Sequence, residues 1–273
     1  MHEYFDICVN LLNTQFNKDR DAVLSRAASC GVTRMMITAT DIQTSRAAQA
    51  WCTADNLFCT AGVHPHDIGS VSDDWLDQLR TLAGAPAVRA IGETGLDFNR
   101  NFSPRDAQLQ GFEAQIELAC SLHKPLFVHD RDSQGEVLKC LQKFQAGLPP
   151  VVVHCFTGTE DELKGYLEQD FYIGITGWVA DQRRGAELRE IVGQIPLARL
   201  LIETDAPFLK PHNVPADFLL QMGLDAASNK NAKRRNEPAM LPFVAAAIAA
   251  HRPESEAEIA AASTANARRF FGF

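Results

Sequence analysis

The sequence contains no CxxC pair. Its seven cysteines, Cys8, Cys30, Cys52, Cys59, Cys120, Cys140 and Cys155, are odd in number and scattered. That pattern argues against a disulfide framework and against a zinc ribbon, and it suits a reducing, cytoplasmic setting. No apolar run is long enough to span a bilayer. The first residues include Asp6, Asp19 and Arg20 rather than the apolar centre of a signal peptide. Basic charge is also scarce, with 26 Lys and Arg against 34 Asp and Glu, a formal net charge of −8. A protein that grips long nucleic acid by neutralising phosphates is usually basic. A wide footprint on DNA is therefore disfavoured. An enzyme that handles a strand end is not, because bound metal ions can supply the local positive charge. No GxGxxG loop follows the first apolar run, and Asn10 to Phe16 holds no glycine, against a doubly wound dinucleotide-binding sheet. There is no repeat, low-complexity tract or linker, so residues 1–273 are read as one domain.

What is present is a regular alternation. Apolar residues make up 46% of the 273, enough for a large core. Eight short apolar runs read as strands: Tyr4–Leu11, Arg34–Thr40, Leu57–His64, Val88–Gly95, Pro125–Arg131, Val151–Phe156, Phe171–Gly177 and Leu200–Ala206. Longer amphipathic runs lie between them, at Lys18–Cys30, Ile42–Ala54, Asp73–Ala83, Pro104–His123, Ser133–Phe144, Glu160–Glu168 and Arg184–Gly193. Continuous apolar strands alternating with helices predict a closed parallel (β/α)8 TIM barrel. Ser103 before Pro104 reads as a helix N-cap with proline at the first helical position, and Gly31 reads as a helix stop. After the last strand, Leu209 to Pro238 reads as a long loop with one helical turn near Asp217–Met222. Two helices follow, at Leu241–Ala250 and Ser255–Phe270.

In such a barrel the functional groups sit at the C-terminal strand ends. The third run ends in Gly62-Val63-His64-Pro65-His66, the fourth in Gly92-Glu93-Thr94-Gly95-Leu96-Asp97 and the fifth in His129-Asp130-Arg131. The sixth ends in His154-Cys155-Phe156 and the eighth in Glu203-Thr204-Asp205. Glu93, His129, His154 and Asp205 recur at one structural phase, one or two βα units apart, and are read as a joint metal site. Burying them unpaired would cost several kcal/mol. Imidazole and carboxylate together suit zinc, manganese, magnesium or iron. His64 and His66, on either side of Pro65, either contact substrate phosphate or simply close the third strand. Arg131 either forks onto a phosphate or pairs with Asp130 or Asp132. Glu203 shares a face with Asp205, where it either orients a ligand or pairs with a buried arginine. Arg183-Arg184 and Lys233-Arg234-Arg235 fall in loops on the same end; most such runs are simply solvated, though two basic patches beside one metal site would suit a polyanion. His123 reads as a helix cap, and His2, His212 and His251 as solvent-facing.

These residues carry a resemblance. Thr60-Ala-Gly-Val-His-Pro-His66, Ala90-Ile-Gly-Glu-Thr-Gly-Leu-Asp97, Val153-His-Cys-Phe-Thr-Gly158, Leu201-Ile-Glu-Thr-Asp-Ala-Pro207 and Arg235-Asn-Glu-Pro238 resemble TatD-family signatures. They run in order over almost the whole chain. Phe5-Asp-Ile-Cys-Val-Asn-Leu11 with Thr14-Gln-Phe16, and Gly174-Ile-Thr-Gly-Trp178, resemble the TatD branch itself. The resemblance implies a metal-dependent nuclease, a magnesium-dependent 3′→5′ exonuclease on single-stranded DNA or RNA with a role in DNA repair. Manganese or zinc is the alternative ion. Carried over by position, Glu93, His129, His154 and Asp205 would be the metal ligands, with Glu93 bridging two ions and His64 beside them. Asp205 would hold the attacking water and take its proton. His66, Arg131 and Arg235 would contact the substrate. The partners implied are single-stranded DNA or RNA ends; the sequence itself offers no membrane partner and does not fix the oligomeric state, for which a monomer is the simplest reading. One departure stands out. Many relatives begin with Asp-x-His-x-His on the first strand, where this chain has Asp6-Ile-Cys-Val-Asn10. Cys8 and Asn10 thus replace two imidazoles, which weakens one metal subsite. Two other functions suit the same residues: a deacylase such as one acting on D-aminoacyl-tRNA, and a metal-depleted binding protein without turnover.

Overall fold

The computed structural model describes residues 2–52, 55–224 and 234–273. Its strands are β1 (Tyr4–Val9), β2 (Val32–Ile37), β3 (Leu57–Ala61), β4 (Val88–Asp97), β5 (Leu126–Arg131), β6 (Val151–His154), β7 (Tyr172–Ile175) and β8 (Leu200–Ile202). Its helices are α1 (Arg20–Ser29), α2 (Ile42–Trp51), α3 (Trp75–Ala83), α4 (Arg105–Leu122), α5 (Glu136–Lys143), α6 (Glu160–Glu168), α7 (Ala186–Ile191), α8 (Ala216–Gln221), α9 (Leu241–Ala249) and α10 (Glu256–Phe271). The strands form one sheet in the unbroken order β1 to β8, the connectivity of a (β/α)8 barrel. A doubly wound sheet reverses its order part way, and this one does not.

Several elements are shorter than their apolar runs. β6 ends where the backbone turns left-handed, since Cys155, directly after His154, has φ 48° and cannot continue a strand; β8 ends at Ile202, three residues before Asp205 takes φ 51°. β4 instead runs on to Asp97. Ser103 does not cap α4. Pro104 takes the N-cap position, while the Ser103 hydroxyl donates to the His66 carbonyl (2.8 Å) and accepts from Gly69 N–H (3.0 Å). The serine ties two loops together, so the helix starts one residue later than expected. Gly31 does follow the end of α1 with φ 84°, and His123 closes α4 at φ 51°. Capping boxes start α2 (Asp41 with Thr44) and α6 (Thr159 with Glu162), satisfying free N–H groups of the first turn.

The described residues pack as two compact units. One comprises residues 2–35 and 174–267. Every residue of β1 is buried, Asp6 among them. Asp6 accepts from the Thr204 N–H (2.9 Å), the Thr204 hydroxyl (2.5 Å) and the Cys8 N–H (3.2 Å). The Asn10 N–H donates to the Ala206 carbonyl (2.8 Å), and the Asp205 N–H to the Cys8 carbonyl (2.9 Å). From α10, the Ser263 hydroxyl accepts from the Ile202 N–H, and Asn266 donates to the Leu197 and Leu200 carbonyls. An ionic group, buried at Arg235 and Glu237 and partly exposed at Arg26 and Asp19, joins α1 to the segment before α9. Arg26 forks onto Glu237 (2.7 and 2.9 Å), and Arg235 onto Asp19 (2.8 and 2.6 Å). Arg235 also bonds Glu237 and the Gln15 carbonyl.

The other unit comprises residues 36–173 and 268–273. Here β3 to β6 pair in parallel, and the register sets Gly95 opposite His129 and His129 opposite His154. The strands approach closely only because glycine stands at key points. A Cβ on Gly95 would lie 1.9 Å from the His129 carbonyl oxygen, and one on Gly62 2.4 Å from the Gly92 backbone. Gln115, buried on α4, accepts from the Val63 N–H (2.8 Å) and donates to the Val63 carbonyl (2.9 Å). It thereby holds the backbone that leads into His64.

Candidate metal centre

Within this second unit, four strand ends deliver side chains to one point. The pairing of β4 with β5 is irregular between Ile91 and Thr94, a device that re-aims a side chain at a sheet end, and Glu93 lies in that stretch. Its N–H donates to the Ala39 carbonyl (2.8 Å). Three imidazoles converge on Glu93 Oε1: His154 Nε2 at 2.8 Å, His129 Nδ1 at 3.1 Å and His64 Nε2 at 3.2 Å. A second carboxylate, Asp97, receives His66 Nε2 at 2.6 Å and stands 3.6 Å from His129 Nε2. The last distance is too long for a hydrogen bond, and His129 Nε2 is buried without a partner among the described residues. The rings form a continuous array, with His64 4.3 Å from His66 and 4.7 Å from His129, centroid to centroid. Phe127 backs the array, 4.6 Å from the His154 ring.

The electrostatics follow from this packing. Burial opposes ionisation of Glu93, but the neighbouring His154, His64 and His129 outweigh it and hold the carboxyl well below its usual range. Burial takes His64 down to about 4 against the pull of Glu93. His64 is therefore neutral at pH 7. Its Nδ1 accepts from the His66 N–H (3.1 Å), so the proton sits on Nε2 and is donated to Glu93. For His129, burial lowers the pKa, yet the Asp97 and Glu93 carboxylates raise it above the ordinary value. Asp97 ionises more readily than usual: burial works against this, and His129, the Arg100 N–H and His66 work for it.

The donor set fits a divalent cation. His64, Glu93 and His129 offer ligand atoms within 4.8 Å of one another, and His129 keeps one unpaired ring nitrogen. Nitrogen and carboxylate oxygen together suit zinc, manganese or magnesium.

In the first unit, the Asp205 carboxylate accepts from Asn10 Nδ2 (2.8 Å) and lies 3.7 Å from Cys8 Sγ. The two residues that replace first-strand imidazoles are thus neighbours of the fourth expected ligand. Cys8 Sγ also lies within 4.8 Å of a Glu203 carboxylate oxygen, and Glu203 is fully buried. Asn236 donates to the Thr204 carbonyl (2.9 Å) and its N–H to the Pro207 carbonyl (3.0 Å), which clamps the turn that carries Asp205.

The remaining expected contacts distribute as follows. His66 stands beside Asp97, in the second unit with Glu93. Arg131 donates to the Thr157 hydroxyl (3.0 Å). Arg235 faces Asp19 and Glu237 and is 4% exposed, so its guanidinium is committed to holding its own unit. Arg184 forks onto Asp181 and stacks 4.2 Å from the Trp178 ring, while Arg183 is exposed. Lys233 lies outside the described residues. Asp97, Asn236 and the Asn10–Asp205 pair were not singled out in the sequence. Asp97 had a visible signal, a second carboxylate four positions after Glu93 at the end of the same strand.

The TatD related DNase family model matches residues 5–272. The 3′-5′ ssDNA/RNA exonuclease TatD of Citrobacter rodentium is 46% identical over 269 residues, covering 98% of this chain and 97% of that protein. The protein of the same name from Citrobacter koseri is 45% identical over 271 residues, covering 98% of each chain. Among solved structures, the TatD homolog YJJV of Escherichia coli K12 superposes with a TM-score of 0.86 at 26% identity, covering 99% of this chain and 98% of that one. A TatD family hydrolase from Entamoeba histolytica gives a TM-score of 0.85 at 27% identity, with 98% of each chain covered.

Proposed function

This chain belongs to the TatD related DNase family, and on that premise we propose that it is a divalent-metal-dependent phosphodiesterase that removes nucleotides from the 3′ end of single-stranded DNA or RNA. The observation that carries the reading is the convergence of His64, His129 and His154 on one oxygen of Glu93. Glu93, His129, His154 and Asp205 are assigned as the ligands, magnesium as the ion, and DNA repair in the cytoplasm as the setting. When bound, the ion supplies Lewis acidity toward the phosphoryl oxygens and toward the attacking water.

The chain's own residues do the rest. Glu93 stays ionised across the neutral range and offers a fixed negative charge. His64 is neutral and donates from Nε2, which holds the Glu93 carboxylate in place. Asp97 fixes His66 in the same way from the other side. Asp205, oriented by the Asn10 amide, is assigned the proton of the attacking water at its carboxylate. The acidic net charge of −8 accords with a substrate held by its end rather than along its length.

The test offers purified protein four labelled substrates with magnesium or with a chelator: a linear single strand, the same strand blocked at its 3′ end, a circular single strand, and an aminoacyl-tRNA. Metal-dependent loss of the linear strand, slowed strongly by the block, is expected. Equal cleavage of a circular strand would refute the exonuclease reading, and release of the amino acid alone would replace it with a deacylase.

A further inference from the structure

Phe102, in the loop between β4 and α4, is 66% exposed and the most exposed large hydrophobic side chain among the described residues. The loop around it is fastened at several points. Asp97 Oδ1 accepts from the N–H groups of Asn99 (3.1 Å) and Arg100 (2.8 Å), and the Asn101 side chain donates to the Phe98 carbonyl (2.5 Å). Gln108, buried on α4, accepts from the Asp97 N–H (2.9 Å) and donates to the Ser103 carbonyl (2.8 Å). Arg105 covers the Phe98 ring at 4.3 Å. The Phe102 ring meets the His66 ring edge-to-face, 4.7 Å between centroids. His66 touches His64 and bonds Asp97, so the exposed ring stands at the margin of the Glu93 centre.

A rigid loop that holds an aromatic face in water, beside a metal centre, has the form of a stacking platform. We propose that Phe102 receives an unpaired nucleobase of the strand next to the bond that is cut. Every base has a π-face, so such a platform binds without sequence preference. It also selects single strands, because a base within a duplex is already stacked on its neighbours. This inference rests on the nucleic-acid reading above and adds a binding site to it.

The experiment measures binding of a phosphorothioate single strand, resistant to hydrolysis, in the presence of magnesium. The strand carries 2-aminopurine, a normal base or an abasic site at its 3′-terminal positions. Wild-type protein is expected to quench 2-aminopurine at one of these positions. An abasic site there should weaken binding about 5- to 150-fold, the range for one stacked base. Phe102→Ala should bind the normal and abasic strands equally and weakly, and Phe102→Trp should restore the difference. A base-versus-abasic difference that survives in Phe102→Ala overturns the proposal, as does its absence in wild type, including a wild type that binds neither strand. Cleavage of an ordinary phosphodiester strand by the wild-type protein with magnesium separates the two readings. If it proceeds while stacking fails, the nuclease reading stands alone. If strands stack but are never cut, the nuclease reading fails and the platform remains.

Discussion

Replacing Arg235 decides between two roles for the last family signature. A substrate contact would show in KM, whereas a structural tie would show in stability. The geometry points to the second. Arg235 is 4% exposed and Glu237 fully buried, with Asp19 partly exposed at the rim. Removing one partner of a buried ion pair costs about 3–5 kcal/mol, because the other charge is left without compensation. Here Arg26 still forks onto Glu237 with two bonds, so the lower end applies, about 3 kcal/mol. For a chain of this length that corresponds to a fall in Tm of roughly 6–12 °C. Arg235→Ala is therefore expected to melt early by differential scanning calorimetry while its KM for a single strand, measured well below the transition, stays near wild type. Arg235→Lys should recover part of the loss, since an ammonium cannot reproduce the fork onto Asp19 together with the bonds to Glu237 and the Gln15 carbonyl. An Arg235→Ala protein of unchanged Tm with a raised KM would refute the structural role and return this residue to the substrate.

Two further perturbations probe the β1–β8 end of the first unit. Burial, reinforced by the Glu203 carboxylate, pushes Asp6 up to about 7, against the N–H and hydroxyl groups that favour its charge. The folded state then holds a proton that the unfolded state releases near pH 4, so this group's contribution falls as pH rises from about 4 to about 7, by on the order of 4 kcal/mol. Urea unfolding should show the wild type losing that stability relative to Asp6→Asn across this window; parallel profiles would refute the assignment. Cys8→Ser should stay folded with activity within a few-fold, because Cys8 is not among the assigned ligands and its Sγ makes only a long contact of 3.7 Å to Asp205. A folded but inactive Cys8→Ser protein would make the thiol a true ligand.

Much of this architecture was legible because buried parallel strands write themselves as continuous apolar runs, and β1 to β8 each fall within or beside such a run. Strand ends were harder. The left-handed turn at Cys155 stops β6 at His154 for a conformational reason that apolar patterning does not record. Ser103 showed the capping signature but serves a loop-to-loop contact instead. The choice between these uses depends on His66 and Gly69, more than thirty positions away. Glu93, His129 and His154 could be read from their common phase at strand ends. The pairing of Asn10 with Asp205, 195 positions apart, could not, since spacing along the chain carries no sign of a contact that closes over such a distance. The surroundings of Arg235 were hidden for a related reason. A basic residue in a loop looks free until its carboxylate partners, Asp19 and Glu237, are seen around it.

In the function proposed here, a divalent ion held through Glu93 and His154 drives strand cleavage. Its most direct test is the rate of release of 3′-terminal nucleotides from a labelled single-stranded oligonucleotide, measured with magnesium and with chelator for wild type, Glu93→Gln and His154→Ala. Wild type is expected to cleave only with the ion. Both variants, folded by circular dichroism, are expected to fall by more than about a hundredfold, beyond the loss caused by removing an outer partner of a metal site. Cleavage that persists in chelator, or a folded Glu93→Gln protein that cuts at near the wild-type rate, would refute a metal-driven reaction at Glu93.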